Sequence, residues 1–161
     1  MRISNKNTIY CIVAMLAFGF SFPSNLRAQK LTPKFGDYPV VEKQKIKNAP
    51  VVLSKNDLIY RTRLKEAAKQ KPNFAGHYIL TTWGCGMECL MGALIDAKTG
   101  RIYQLPFTIC CWGDGVGDDF NPIEFRLDSK LIIFSGARDE KDGDVGKHYY
   151  IFDKSSFKLI Q

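Results

Sequence analysis

The sequence predicts an α+β domain in which an antiparallel meander of about six strands carries one N-terminal helix packed on it. Three observations lead there. Residues 55–70 repeat apolar side chains at helical spacing. After Pro72 the chain turns to short β-branched and aromatic runs. Several of those runs are joined by connections so short that the strands must be antiparallel neighbours. A small, partly closed β-barrel is the alternative closure of the same strands.

The chain begins with a pattern made for export. Arg2 and Lys6 precede an apolar run from Ile9 to Phe20, Phe22-Pro23 breaks it, and Leu26-Arg27-Ala28 precedes Gln29. A charged start, a short apolar stretch and a small residue at the cut define a cleavable signal peptide over residues 1–28. The run is shorter than the roughly 20 residues a membrane span needs, and Cys11 lacks the small-residue context of a lipid attachment site. The expected location is periplasmic or secreted, in a bacterium, with no transmembrane segment after signal cleavage.

Residues 29–50 read as irregular. Pro33, Gly36, Pro39 and Pro50 interrupt any long element, and residues 40–46 suit a short edge strand. This segment is a tether or a wrap around a single α+β domain at 51–161.

The helix opens at Ser54-x-x-Asp57, a capping box with Asp in the place usually held by Glu. Tyr60, Leu64, Ala67 and Ala68 share one face, Lys69 and Lys71 suit the negative C-terminal end, and Pro72 stops the helix. Strands are expected at 77–83, 90–95, 102–105, 124–127, 131–135, 149–152 and 157–160. The turns Asp96-Ala97-Lys98-Thr99-Gly100, Asp128-Ser129-Lys130 and Asp153-Lys154-Ser155-Ser156 mark three hairpins.

Charge is unevenly spread. The whole chain carries a formal +7, yet residues 29–71 hold 11 Lys/Arg against 4 Asp/Glu and residues 72–161 hold 9 against 12. The lysines are scattered and not packed into a stripe. With no nucleic-acid motif and an export signal, nucleic acid is excluded as a partner. An envelope protein or a cell-wall glycan is the expected one.

Four cysteines follow the signal: Cys85, Cys89, Cys110 and Cys111. An even number in an exported domain points to disulfides. A bridge between adjacent residues is strained, and bridges closing longer loops stabilise more, on the order of 3 kcal/mol each. The expectation is therefore that the 85–89 loop is cross-linked to Cys110-Cys111, in either register. Cys-x3-Cys followed by Cys-Cys is no standard zinc spacing, and neither spacing nor β context matches a thioredoxin-type pair. The Gly/Asp-rich loops at 112–119 and 139–144 could offer oxygen ligands to calcium, but neither keeps an EF-hand register, so solvated turns are expected. No metal or other cofactor is expected.

Trp83, Glu88, Trp112 and Asp114 adjoin the cysteines. Aromatic and acidic side chains on loops pinned by disulfides make a recognition surface, and these four are the candidate binding residues. The favoured function is a non-enzymatic, disulfide-stabilised binding or inhibitor-like module. The alternative is a small periplasmic hydrolase or thiol enzyme using His77 with Cys85 or Cys89, or with Glu88 and nearby carboxylates. On a straight strand His77 and Cys85 would lie on the order of 25 Å apart at about 3.3 Å per residue, so that pair needs a bend or another strand.

The stretch Asn73-Phe74-Ala75-Gly76-His77-Tyr78, followed by Trp83-Gly84-Cys85-Gly86-x-x-Cys89 and then Gly92-Ala93-x-Ile95-Asp96-x-x-Thr99-Gly100, resembles a group of uncharacterised exported bacterial proteins. A weaker likeness extends over 149–160. No activity is established for that group. The resemblance implies a single envelope-located domain and says nothing of mechanism.

Overall fold

The helical segment starts at Ser54, whose backbone N–H donates to Asp57 Oδ2 at 2.8 Å. In the computed structural model, which describes residues 31–41, 47–113, 117 and 120–161, its first turns form a 3-10 helix, Lys55–Tyr60, and only then an α-helix, α1, Arg61–Ala67. Asn56, Asp57 and β-branched Ile59 are weak helix formers, and Asp57 is also held sideways by Gln104 Nε2 at 2.7 Å. Leu64 and Ala67 are buried, with Tyr60 and Ala68 half-buried beside them, so the predicted apolar stripe is the packed one. At the other end Asn48 donates to the carbonyls of Ala68 and Gln70, satisfying acceptors that a helix end leaves open.

Among the described residues eight strands follow: β1 (Tyr78–Gly86), β2 (Cys89–Asp96), β3 (Ile102–Gln104), β4 (Ile109–Cys110), β5 (Ile123–Phe125), β6 (Leu131–Arg138), β7 (Gly146–Asp153) and β8 (Ser156–Leu159). Six of them form the main path β1-β2-β4-β6-β7-β8, with β3 beside β2 and β5 beside β6. Every pairing is antiparallel, and the sheet curls into a half-barrel. The predicted α+β class and its barrel-like alternative therefore describe one object. The turns form where the sequence places them. Asp96 accepts from the Lys98 N–H and the Thr99 hydroxyl, and Lys154-Ser155 both take φ > 0 between the paired Asp153 and Ser156, the twist a two-residue hairpin requires.

The sheet is buried on both sides of its first hairpin. Leu80 and Leu94 face inward and join Ile109, Ile132, Phe134 and Phe152 in the interior of the curl. Ile79, Trp83, Ala93 and Ile95 face outward and are roofed by Leu64 and Ala67. A third cluster, Leu131, Ile133 and Tyr149, is covered by Phe35 and Tyr38 from the N-terminal segment and by Ile160. Ser129, itself buried, fixes that segment through its hydroxyl, 2.8 Å from the Phe35 carbonyl. Gly100 (φ +74) passes Pro50 so closely that a Cβ would lie 1.9 Å from the Pro50 carbonyl oxygen. The compact unit Thr32–Gln161 contains all of these elements. The signal peptide read at 1–28 and most of the edge strand read at 40–46 lie outside the described residues. Among those residues no helix is long and apolar enough to cross a membrane.

Candidate functional site

The β1–β2 hairpin carries the most distinctive feature of the surface. Gly84 pairs with Leu90 and Gly86 with Cys89, so Cys85 is an extra residue with no cross-strand partner. Such a bulge rotates the strand locally. It brings Cys85 within 5.2 Å of Cys89, Cα to Cα, and the two form a disulfide. The bridge clamps the turn Met87-Glu88, with Glu88 in the left-handed region at φ 47. Gly84 to Glu88 are all exposed, and Met87 is 96% exposed. A wholly solvated Met on a rigid tip has no stabilising role within the fold.

The expected cross-link between the cysteine loops is not what forms. Cys89 does face Cys110 across the β2–β4 ladder, so the two loops lie side by side as anticipated. The bulge, however, gives Cys89 a nearer partner in Cys85, and Cys110 and Cys111 stay as thiols. Cys110 is buried with Cys89 and Ala137. Burial, a hydrogen bond with Cys111 and the charge there push the Cys110 thiol up to about 11, against a backbone hydrogen bond from Glu140 that lowers it. Cys111, at φ 54, turns to solvent.

The recognition surface expected from Trp83, Glu88, Trp112 and Asp114 is only partly assembled. Trp83 is core: it packs on Tyr60 with ring centroids 4.9 Å apart, beneath the helix. Trp112 is half-buried, 6.1 Å from the Phe120 ring. Glu88 is exposed on the clamped turn. Asp114 lies outside the described residues, as do Asp118 and Asp119. The sequence reading missed Met87, although an apolar residue between two cysteines in a turn was the available signal.

His77 precedes β1 and stands 3.6 Å from Asp96, Nε2 to Oδ1, at the opposite end of the strand from Cys85. With β1 extended, the separation is on the order of 25 Å, and both Cys85 and Cys89 are consumed in the disulfide. The His77/cysteine pair of the enzymatic alternative is therefore not brought together. In the other Gly/Asp loop, Asp139 accepts from the Thr108 N–H and Asp144 takes two hydrogen bonds from the Arg138 guanidinium, at 2.8 and 2.7 Å. Those carboxylates hold the β6–β7 connection in place. Among the described residues no cluster of three metal-ligating side chains occurs.

A concave feature lies elsewhere. Tyr60, Met91 and Phe107 floor a groove of about 300 Å³, rimmed by Gln104, Thr108 and Asp139. It draws on four separate segments, which is why no local pattern announces it.

Fold and site together define an α+β half-barrel that displays a disulfide-clamped hairpin tip. No protein-family model matches the chain, and no curated protein or solved structure is similar to it.

Proposed function

We propose that this protein is an exported, non-enzymatic binding module of the bacterial envelope that acts as inhibitors do, by presenting a rigid tip to the apolar cleft of an envelope protein. One observation carries the reading: Met87 is 96% exposed on a two-residue turn whose flanks are joined by Cys85–Cys89. A flexible, polarisable Met side chain adapts to an apolar cleft. A turn held in one shape by a covalent clamp loses little freedom on docking, so more of the contact energy is realised as affinity. The leader pattern at 1–28 and the fixed tip support the same reading from independent parts of the chain. A protein partner fits better than a glycan, because sugars are gripped by flat aromatic faces and polar groups, and Trp83 is buried under the helix.

The test has two arms. Mass analysis of the protein recovered from the periplasm should give a chain beginning at Gln29. A photo-reactive amino acid at position 87 should yield one discrete adduct in intact cells, and the same group at Lys154, on the opposite hairpin, should not. Excess unlabelled wild type should suppress the adduct and excess Met87→Asp should fail to. Equal labelling at both positions, or no adduct at 87, sinks the proposal.

A further inference from the structure

The clamp of the tip sits beside a free thiol. Cys110 is the cross-strand partner of Cys89. Facing residues of antiparallel strands have Cα atoms about 4.5–5.5 Å apart, inside the window for a disulfide. Cys89, Cys110 and Ala137 form one buried cluster, so the Cys110 sulfur needs no strand rearrangement to reach Cys89. Cys85, by contrast, is exposed on the bulge.

We propose that the four cysteines form a thiol–disulfide exchange site, in which the bond moves between Cys85–Cys89 and Cys89–Cys110 and a reactive thiol emerges at Cys85 beside the tip. The Cys110 thiolate attacks Cys89 Sγ. The Cys89–Cys110 bond forms, the Cys85–Cys89 bond breaks, and its electron pair leaves on Cys85, which takes up the proton Cys110 gave up. One disulfide and two thiols, Cys111 among them, are present before and after, so no oxidant or reductant is consumed. The product thiol can then meet a disulfide of a second molecule: Cys85 sulfur attacks, one half departs as a thiol, and the other stays on Cys85 as a mixed disulfide. The substrate class is a disulfide, on a polypeptide or a small molecule.

Exchange rates follow the thiolate fraction of the attacking group. The titratable groups facing Cys110 are Cys111, next in sequence, and Glu140 from the β6–β7 connection. Beside it β6 brings Ala137, and the Arg138 that follows is occupied by Asp144. With the Cys110 thiol raised to about 11, exchange is slow at neutral pH and quickens about tenfold per pH unit below that value. The resting state thus keeps the clamp closed.

The exchange stands apart from the binding role of Met87, and the experiment reads sulfur connectivity alone. The wild-type protein, prepared without reductant, is held in excess iodoacetamide at pH 8 and pH 9, and peptides are mapped by mass spectrometry without reduction. Label on Cys85 with a Cys89–Cys110 linked peptide, appearing about tenfold faster at the higher pH and independent of reagent concentration, is the expected result. Cys110→Ala should abolish Cys85 labelling, and Cys111→Ser should keep it. In Cys111→Ser, oxidised glutathione should leave a mixed disulfide on Cys85. Label confined to Cys111 with Cys85–Cys89 intact, a Cys110–Cys111 bond, or Cys85 labelling that survives in Cys110→Ala each overturns the proposal. The first two are read on wild type, so they decide even if the variants do not fold.

Discussion

Cys89 faces Cys110 across the β2–β4 ladder while its sulfur is bonded to Cys85 on its own hairpin. One residue thus has two possible partners, and removing one should reveal the other. Closing the short 85–89 loop is worth about 2 kcal/mol by loop-closure entropy, and closing 89–110 roughly 3 kcal/mol. Reduced Cys85→Ser should therefore unfold at lower urea than oxidised wild type. On air oxidation it should form Cys89–Cys110 and recover at least wild-type stability. A variant that keeps three free thiols after oxidation would show that the two sulfurs do not meet.

The helix is held to the sheet by few side chains, so each matters. Leu64 is fully buried between Ile79, Trp83 and Ile95 in the outer layer. Leu64→Ala should cost about 3 kcal/mol, read from the urea midpoint at unchanged slope. Trp83→Phe should cost clearly less. The indole N–H of Trp83 is buried without a hydrogen-bond partner, and losing an unsatisfied donor worth about 1–3 kcal/mol offsets part of the lost packing. Equal losses for the two variants would mean that the indole N–H is satisfied in solution.

Local patterns carried the fold well because its strands are joined by short connections. Apolar spacing over Tyr60, Leu64, Ala67 and Ala68 marks the helix, and Asp/Gly/Ser clusters mark the hairpins. β4 escaped because Ile109-Cys110 is two residues long and exists only through pairing with Leu90 and Arg138 far along the chain. Trp83 was read as a binding residue beside the cysteines, and only the helix packed over the face it shares with Ile79 makes it core. The disulfide escaped for a similar reason. A one-residue bulge at Cys85 decides the pairing, and Gly84-Cys85-Gly86 does not reveal which side of the strand will be lengthened. The motif residues around Asn73 turn out to have structural work of their own: Asn73 mimics a strand by bonding both backbone groups of Leu80, and Ala75 and Gly76, both at φ > 0, dock on the Arg126 and Leu127 carbonyls.

Gly136 sets how closely β6 approaches β4. Its φ is +138, and a Cβ there would lie 2.4 Å from the Cys110 carbonyl oxygen. Backbone cannot yield as a side-chain tip can, so Gly136→Ala should destabilise by about 2 kcal/mol or more through overpacking and strain. Gly146, its cross-strand partner, has open space where a Cβ would be, and Gly146→Ala should stay within about 0.5 kcal/mol. Similar effects at both positions would place the β4–β6 contact elsewhere.

The tip should be dispensable for folding. Met87 touches solvent almost everywhere, so Met87→Asp should change the unfolding free energy by no more than about 0.5 kcal/mol while failing, as an unlabelled competitor, to suppress the position-87 adduct of the photo-reactive protein. A Met87→Asp protein that is both destabilised and unable to compete would make Met87 part of the fold and not of a surface made for a partner.

Acid should loosen the β6–β7 connection before the rest of the sheet. Hydrogen bonds from Arg138, foremost, hold the Asp144 carboxyl well below the usual carboxylate range, against some loss of solvation. Lys130 lowers Asp153 in the same way. At Asp57 burial raises the value, but hydrogen bonds from Ser54 and Gln104 outweigh it and leave it lowered. A carboxyl whose folded value lies below its unfolded value contributes stability that is present above the unfolded value and is lost as pH falls through the folded one. The melting temperature should therefore be insensitive to these groups down to about pH 4, near the unfolded Asp value, and fall below it. Asp144→Asn should melt lower than wild type at pH 7, because the paired carboxylate is gone, and lose less on going from pH 4 to pH 2. Hydrogen exchange across residues 138–146 should rise first in wild type over that interval. If wild type and Asp144→Asn lose stability in parallel below pH 4, the Arg138–Asp144 pair does not govern the acid limb.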